Sequence, residues 1–222
     1  MSFSGFSSET GEFLWELAFH NEKPWFEAHR EQFLRAVKNP LDDLAHDTRS
    51  LMQSRHPEEP YQVHISRIYR DARRLFGRGP YKDHLWFTIW TGAERRNGPD
   101  FWFELGPASY SYGLGFYTAD SEQMTELRSY MEAHPAAMER LVKSVNKAGY
   151  HLEGEMYKRL KKDVGEVLNP WYNRKWIGFS RDFDHGGDLY SDALPTVLAD
   201  AYDKLMPVYR LFDRFSSEKE KA

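Results

Sequence analysis

The spacing of apolar residues changes twice along this chain, and those two changes constrain its fold more than any other feature. Up to residue 60 the spacing is helical. Phe13, Leu14, Leu17 and Ala18 follow Ser7 and Ser8, which suit an N-cap, and predict a helix to about His20. Pro24 stands where a first helical turn tolerates proline. Phe26, His29, Phe33 and Val37 then form a stripe that Asn39-Pro40 is expected to end. Leu41, Leu44, Ala45, Thr48, Leu51 and Met52 make a third, closed by His56-Pro57 and Pro60. From Tyr61 the period is two, with Val63 and Ile65 alternating against Gln62, His64 and Ser66. Leu85 to Trp90, Phe101 to Leu105 and Tyr110 to Tyr117 have the same aromatic and β-branched character. Gly92 to Pro99 and Gly106-Pro107 separate them at hairpin-compatible lengths, which predicts an antiparallel sheet.

Helical spacing then returns. Asp120 and Gln123 form a capping pair ahead of Met124, Leu127 and Met131, and Pro135 opens a helix through Met138, Leu141, Val142 and Val145 that Gly149 stops. Residues 150–190 carry mixed signals and predict one or two short strands and loops. Leu194, Val197, Leu198, Ala201, Leu205, Val208, Tyr209 and Phe212 form a last apolar face, which Pro207 is expected to kink or split. Neither a repeat of 20 to 50 residues nor a Pro/Gly/Ser linker is present. The expectation is one α+β domain over residues 1–215, a mainly antiparallel sheet flanked by N-terminal, middle and C-terminal helices, with a disordered tail at 216–222.

Composition limits the chemistry. A chain of 222 residues, 41% hydrophobic, buries roughly 70% of its unfolded surface and needs no disulfide or structural metal to hold a core. It has no cysteine, which excludes disulfides, zinc ribbons, Fe–S clusters and thiol nucleophiles. Mean hydropathy is −0.74, and the sequence has neither a long apolar run nor a leader-like N-terminus, so a cytoplasmic address and no membrane partner are expected. Thirty Lys and Arg against 34 Asp and Glu give a net charge of −4, which disfavours bulk nucleic-acid binding and leaves a local basic site open.

Such a site is written into residues 67–82. Arg67, Arg70, Arg73, Arg74, Arg78 and Lys82 stand there against the single carboxylate Asp71, a local charge of +5 that leaves −9 on the remainder. Arginine forks suit carboxylate and phosphate, and the turn around Gly77 and Gly79 lets backbone N–H groups approach an anion. The alternative is pairing of some of these arginines with the protein's own acids, Arg74 and Arg78 simply facing water. If the first strand stays regular through Arg70, Arg67 and Arg70 point to opposite faces, and they share a ligand only if the strand bulges or ends between them. Among so many arginines Asp71 is expected to orient its neighbours rather than act as a base.

The same stretch resembles a known family. Arg67-Ile-Tyr-Arg70-Asp71, Arg73 and Pro80-Tyr81-Lys82 match in order and spacing the motif of the family called domain of unknown function 2461. Asn21 to Phe26, with Glu22 and Trp25, and Gly113-Leu-Gly115-Phe-Tyr117 are similar to two further segments of it, so the likeness spans nearly the whole chain. Arg74 departs from the family's Phe, and Gly77 and Gly79 stand where acidic and hydroxyl residues are more usual. The resemblance implies a fold and the location of a site; it implies no activity.

A second constellation lies on the even positions of the middle strands, Trp86, Thr88, Trp90, Trp102 and Glu104, beside the small residues Ser111, Gly113 and Gly115. These could wall a small-ligand groove, but tryptophans at such positions are expected in the core. Gly113-Leu-Gly115 is no dinucleotide fingerprint, because Thr118 follows and no parallel βαβ unit surrounds it. Asp182, Asp184 and Asp188 lack the full ligand set of a calcium hand and read as a solvated acidic turn. No zinc-protease, nucleophile-elbow or Walker motif is present, and Lys158 to Lys162 reads as a solvated basic face. The leading expectation is therefore binding of a small phosphate- or carboxylate-bearing ligand, without a cofactor or metal, by Arg67, Arg70, Asp71, Arg73 and Lys82, with Tyr81 lining the site. The alternatives are a metal-independent enzyme with Asp71 or Glu104 as base, and a binder of single-stranded nucleic acid.

Overall fold

The computed structural model describes residues 2–71, 73, 75, 77–92 and 97–217. The fold is α+β. Helix α1 is Ser8–Phe19 and α2 is Lys23–Ala28; a one-turn α3, Arg30–Phe33, passes through a π-helical segment, Leu34–Lys38, into α4, Asn39–Arg55. Strands β1 (Tyr61–Ile65), β2 (Leu85–Thr91), β3 (Asp100–Leu105) and β4 (Ser109–Phe116) follow, then α5 (Ser121–Ala133), α6 (Pro135–Lys147), β5 (His151–Glu153), α7 (Asn169–Tyr172), β6 (Ile177–Asp184) and α8 (Leu194–Asp213). The six strands join one antiparallel sheet in the order β1-β2-β3-β4-β6-β5. No helix among the described residues is long and apolar enough to cross a membrane.

The chain divides into two compact units built from interleaved segments: Met1–Thr91, Trp102–Tyr112 and Asp182–Asp200 in the first, Gly92–Phe101, Gly113–Arg181 and Ala201–Ala222 in the second. In the first, Phe103 stacks on Phe87 at 5.4 Å and meets Tyr110 at 6.0 Å, while Phe13 packs on Phe33 at 5.7 Å. In the second, Phe101 lies against Tyr209 at 4.6 Å, and Trp171 against Phe179 at 4.8 Å. Asp120 caps α5 by accepting from the backbone N–H groups of Glu122 and Gln123, as its sequence pattern predicts.

Three local expectations are corrected. Asn39-Pro40 does not end a helix. The backbone widens there, Asn39 N–H reaching the Leu34 carbonyl, so that α4 continues directly. Pro40 cannot donate to the Ala36 carbonyl four residues back, and the buried Thr10 hydroxyl supplies that bond instead, at 2.7 Å. Of the kink or split expected at Pro207 the split is absent, for α8 runs through it with buried side chains on both sides, Leu205 and Val208 among them. Third, Ser217 of the expected tail exchanges backbone hydrogen bonds with Asn97, at 2.9 and 3.1 Å; residues 218–222 lie outside the described residues.

Candidate anion-binding site

Strand β1 ends at Ile65, so the alternation that would part Arg67 from Arg70 stops before either. Ser66 still pairs with Trp86, its N–H donating to the Trp86 carbonyl at 2.8 Å and its hydroxyl accepting from the Trp86 N–H at 2.9 Å. The chain then closes a loop on itself. Tyr69 and Tyr81 form an isolated antiparallel bridge, with Lys82 N–H on the Ile68 carbonyl and Arg70 N–H on the Pro80 carbonyl, both at 2.8 Å. In that pattern the backbone groups of Tyr81 point away from Tyr69 and need partners on the outer side.

Asn21 provides them. Its side-chain N–H donates to the Tyr81 carbonyl and its carbonyl oxygen accepts from the Tyr81 N–H, each at 2.9 Å, so a side-chain amide acts as one more rung of ladder. Gly79 fits beneath it because a Cβ there would stand 2.2 Å from the Asn21 oxygen. The Tyr81 ring is buried and stacks on Phe26 at 4.2 Å, which corrects its expected place: it supports the site from behind rather than lining it. Burial, with the charges of Tyr69 and Glu27, pushes the Tyr81 phenol above its ordinary range.

The cations fall into two groups. Arg70 is turned inward, its Nε on the Tyr81 carbonyl at 2.7 Å and its terminal nitrogen on Asp83 at 3.1 Å. Asp83 also meets His84 Nδ1 at 3.0 Å. Burial raises the Asp83 carboxyl, but the hydrogen bonds from His84 and its own backbone, with the charges of His84 and Arg70, bring it below the usual carboxylate value. Arg73 forks onto Asp71 through Nε at 3.1 Å and a terminal nitrogen at 3.0 Å, and its backbone N–H donates to the same carboxylate. That bond raises the Arg73 guanidinium further.

Arg67, Arg78 and Lys82 are different. Among the described residues none of them meets a carboxylate: the Lys82 ammonium donates to the Arg67 carbonyl at 2.8 Å and lies 5.7 Å from the centre of the Trp86 ring. Burial, then the like charges of Arg67 and Arg70, hold Lys82 below the ordinary lysine range. Arg70, Asp71, Arg78, Lys82 and His84 line one cavity of about 260 Å³. Arg74 lies outside the described residues.

Of the residues lining this cavity, the expected ligand set held Arg70, Asp71 and Lys82; it left out Arg78, which is exposed, and His84, and it did not name Asp83, the partner of Arg70. The available signal for Asp83 and His84 was position alone, since both directly follow the Pro80-Tyr81-Lys82 turn. The tryptophan constellation is corrected as well. Burial alternates along β3, where Phe101, Phe103 and Leu105 are enclosed while Trp102 and Glu104 are half-buried; Trp86 and Trp90 of β2 are half-buried too. These tryptophans sit on the less covered face of the sheet rather than in the core. The small residues of β4 leave no free groove, for a Cβ on Gly113 would stand 1.8 Å from the Phe179 carbonyl oxygen, and one on Gly115 would meet the Tyr117 ring. Among the described residues no cluster of three His, Asp or Glu side chains has the geometry to hold a metal.

Compared with known proteins, the chain matches the conserved hypothetical protein family DUF2461 over residues 9–211, and it belongs to that family. None of the curated proteins matches it.

Proposed function

We propose that this protein binds a small phosphate- or carboxylate-bearing ligand in the cavity between Arg70, Arg78, Lys82 and His84. One observation carries the proposal: three cations at this loop, Arg67, Arg78 and Lys82, meet no carboxylate among the described residues, although the chain carries 34 Asp and Glu. An anion offsets the burial and the like charges that lower Lys82 and offers acceptors to Arg78, while Asp83 holds Arg70. In this arrangement Asp71 serves to fix Arg73 rather than to take a proton from substrate.

Thermal unfolding against inorganic phosphate, citrate, sugar phosphates and nucleotides tests it. A ligand at 100 times its dissociation constant stabilises by about 2.7 kcal/mol, roughly 5 to 10 °C in a chain of this size. The shift is expected in wild type and lost in Lys82→Ala and in Arg78→Ala, neither of which removes the Asn21 and Arg70 bonds that hold the loop. A panel with no shift in wild type overturns the proposal.

A further inference from the structure

We infer that the ligand is a nucleotide, its phosphate seated in the Arg70–Lys82 cavity and its base stacked on Trp86. The inference rests on the anion-binding proposal and extends it from a charge to a molecule. Its starting point is size. Sites that enclose a whole small molecule run to about 300–1,000 Å³. The cavity of about 260 Å³ lies below that range and brings the nitrogen groups of Arg70, Arg78, Lys82 and His84 together with one carboxylate, Asp71, so it takes an anionic head group and leaves the rest of the ligand outside.

The adjoining surface decides what that remainder is. Lys82 belongs to both places, since its side chain lines the cavity and its ammonium lies 5.7 Å from the Trp86 ring centre. An anion on that ammonium therefore carries its next substituents toward the indole. Trp86 is half-buried, its backbone is locked to Ser66 by two hydrogen bonds, and the exposed His64 ring stands beside it at 5.5 Å and 50°. A held, half-open indole next to a cation suits a flat π-system, which gains stacking from the ring and cation–π attraction from the ammonium. A simple carboxylate or a bare sugar phosphate uses only the first half of this surface. A long single strand is a poorer fit than one nucleotide, because beyond this loop the chain carries −9 and repels a polyanion.

Calorimetric titration of the full chain with inorganic phosphate, ribose 5-phosphate, adenosine and adenosine 5′-monophosphate separates the two levels. Phosphate and ribose 5-phosphate are expected to bind with similar affinity, and the nucleotide about ten-fold or more tightly than either, the gain one stacked base provides. Trp86→Leu should remove that gain, bringing the nucleotide down to the affinity of ribose 5-phosphate in the same variant; His64→Ala, at an exposed position, is the second variant should Trp86→Leu not fold, and should narrow the same gap. Equal affinity for ribose 5-phosphate and the nucleotide in wild type overturns the nucleotide and leaves the anion site standing. Failure of all the phosphate compounds overturns both.

Discussion

The double substitution Asn21→Ala with Arg70→Ala should destabilise the protein by more than the sum of its parts. Both side chains donate to one carbonyl, that of Tyr81, Asn21 at 2.9 Å and Arg70 at 2.7 Å. Asn21→Ala also strips the Tyr81 N–H of its Asn21 acceptor, and a buried donor left alone costs about 1–3 kcal/mol. Arg70→Ala loses a charge-assisted bond to the carbonyl, about 1.5–3 kcal/mol, plus the pair with Asp83. The Asp83 side chain is 42% exposed, so that pair adds at most about 1 kcal/mol. Each single change thus costs about 2 kcal/mol and leaves the Tyr81 carbonyl with one partner. Together they leave it with neither, adding the cost of an orphaned acceptor, about 1–2 kcal/mol of coupling. By urea and thermal unfolding each single variant is expected about 4–8 °C below wild type, and the double variant lower than the two shifts summed. Additivity within about 0.5 kcal/mol would refute the clamp, since it would mean that the carbonyl is equally well served without either side chain.

Other perturbations follow from single contacts. Gly113→Ala forces a Cβ to 1.8 Å from the Phe179 carbonyl oxygen, so at least about 3 kcal/mol of destabilisation is expected, seen as lost soluble yield or a lowered Tm; a wild-type Tm would remove the close approach. Pro207→Ala restores a donor inside α8 at an exposed position. A gain of about 2 kcal/mol is expected, the helix-interior penalty of about 3 less the proline's effect on the unfolded chain, and a neutral result in chemical denaturation would show that the helix has already absorbed the ring. Asp83, held below the usual carboxylate value, contributes stability that is fully present above that value and lost as pH falls through its folded pKa. The stability gap between wild type and Asp83→Asn, at most about 1 kcal/mol at neutral pH, should therefore close on acidification, and a gap constant from pH 6 to pH 3 contradicts the assignment.

Local signals carried most of the fold and only part of the site. The helical stripes, the period-two strands and the Asp120 cap are properties of neighbouring residues, and the elements follow them. The failures are all non-local. Nothing near Asn39-Pro40 reveals that Thr10 will serve the carbonyl Pro40 leaves open. Nothing near Gly113 reveals that the Phe179 backbone will fill the space a side chain would need. Charge density located residues 67–82, but not which cations would be paired, because that depends on Asn21, some 60 positions away, turning the Tyr81 backbone and with it Arg70 inward. The family resemblance supplied Asn21 as a matched residue without a role; its two hydrogen bonds give it one.

The division of the cations bears on the rival structural explanation. Were this stretch present only to pair with the protein's own acids, the half-enclosed cations should be the first served, because charge removed from water most needs a partner. Arg70, with its side chain 14% exposed, follows that rule with Asp83. Arg73 does not need it, being 89% exposed, yet takes Asp71 in a fork. Lys82, partly buried and crowded by Arg67 and Arg70, is the group that rule would serve next, and it receives a carbonyl and an indole face. Pairing has thus gone to an exposed arginine and passed over a more enclosed lysine that lines the cavity. That order fits the proposed anion site, in which a cation beside the cavity is left without a carboxylate, better than pairing alone.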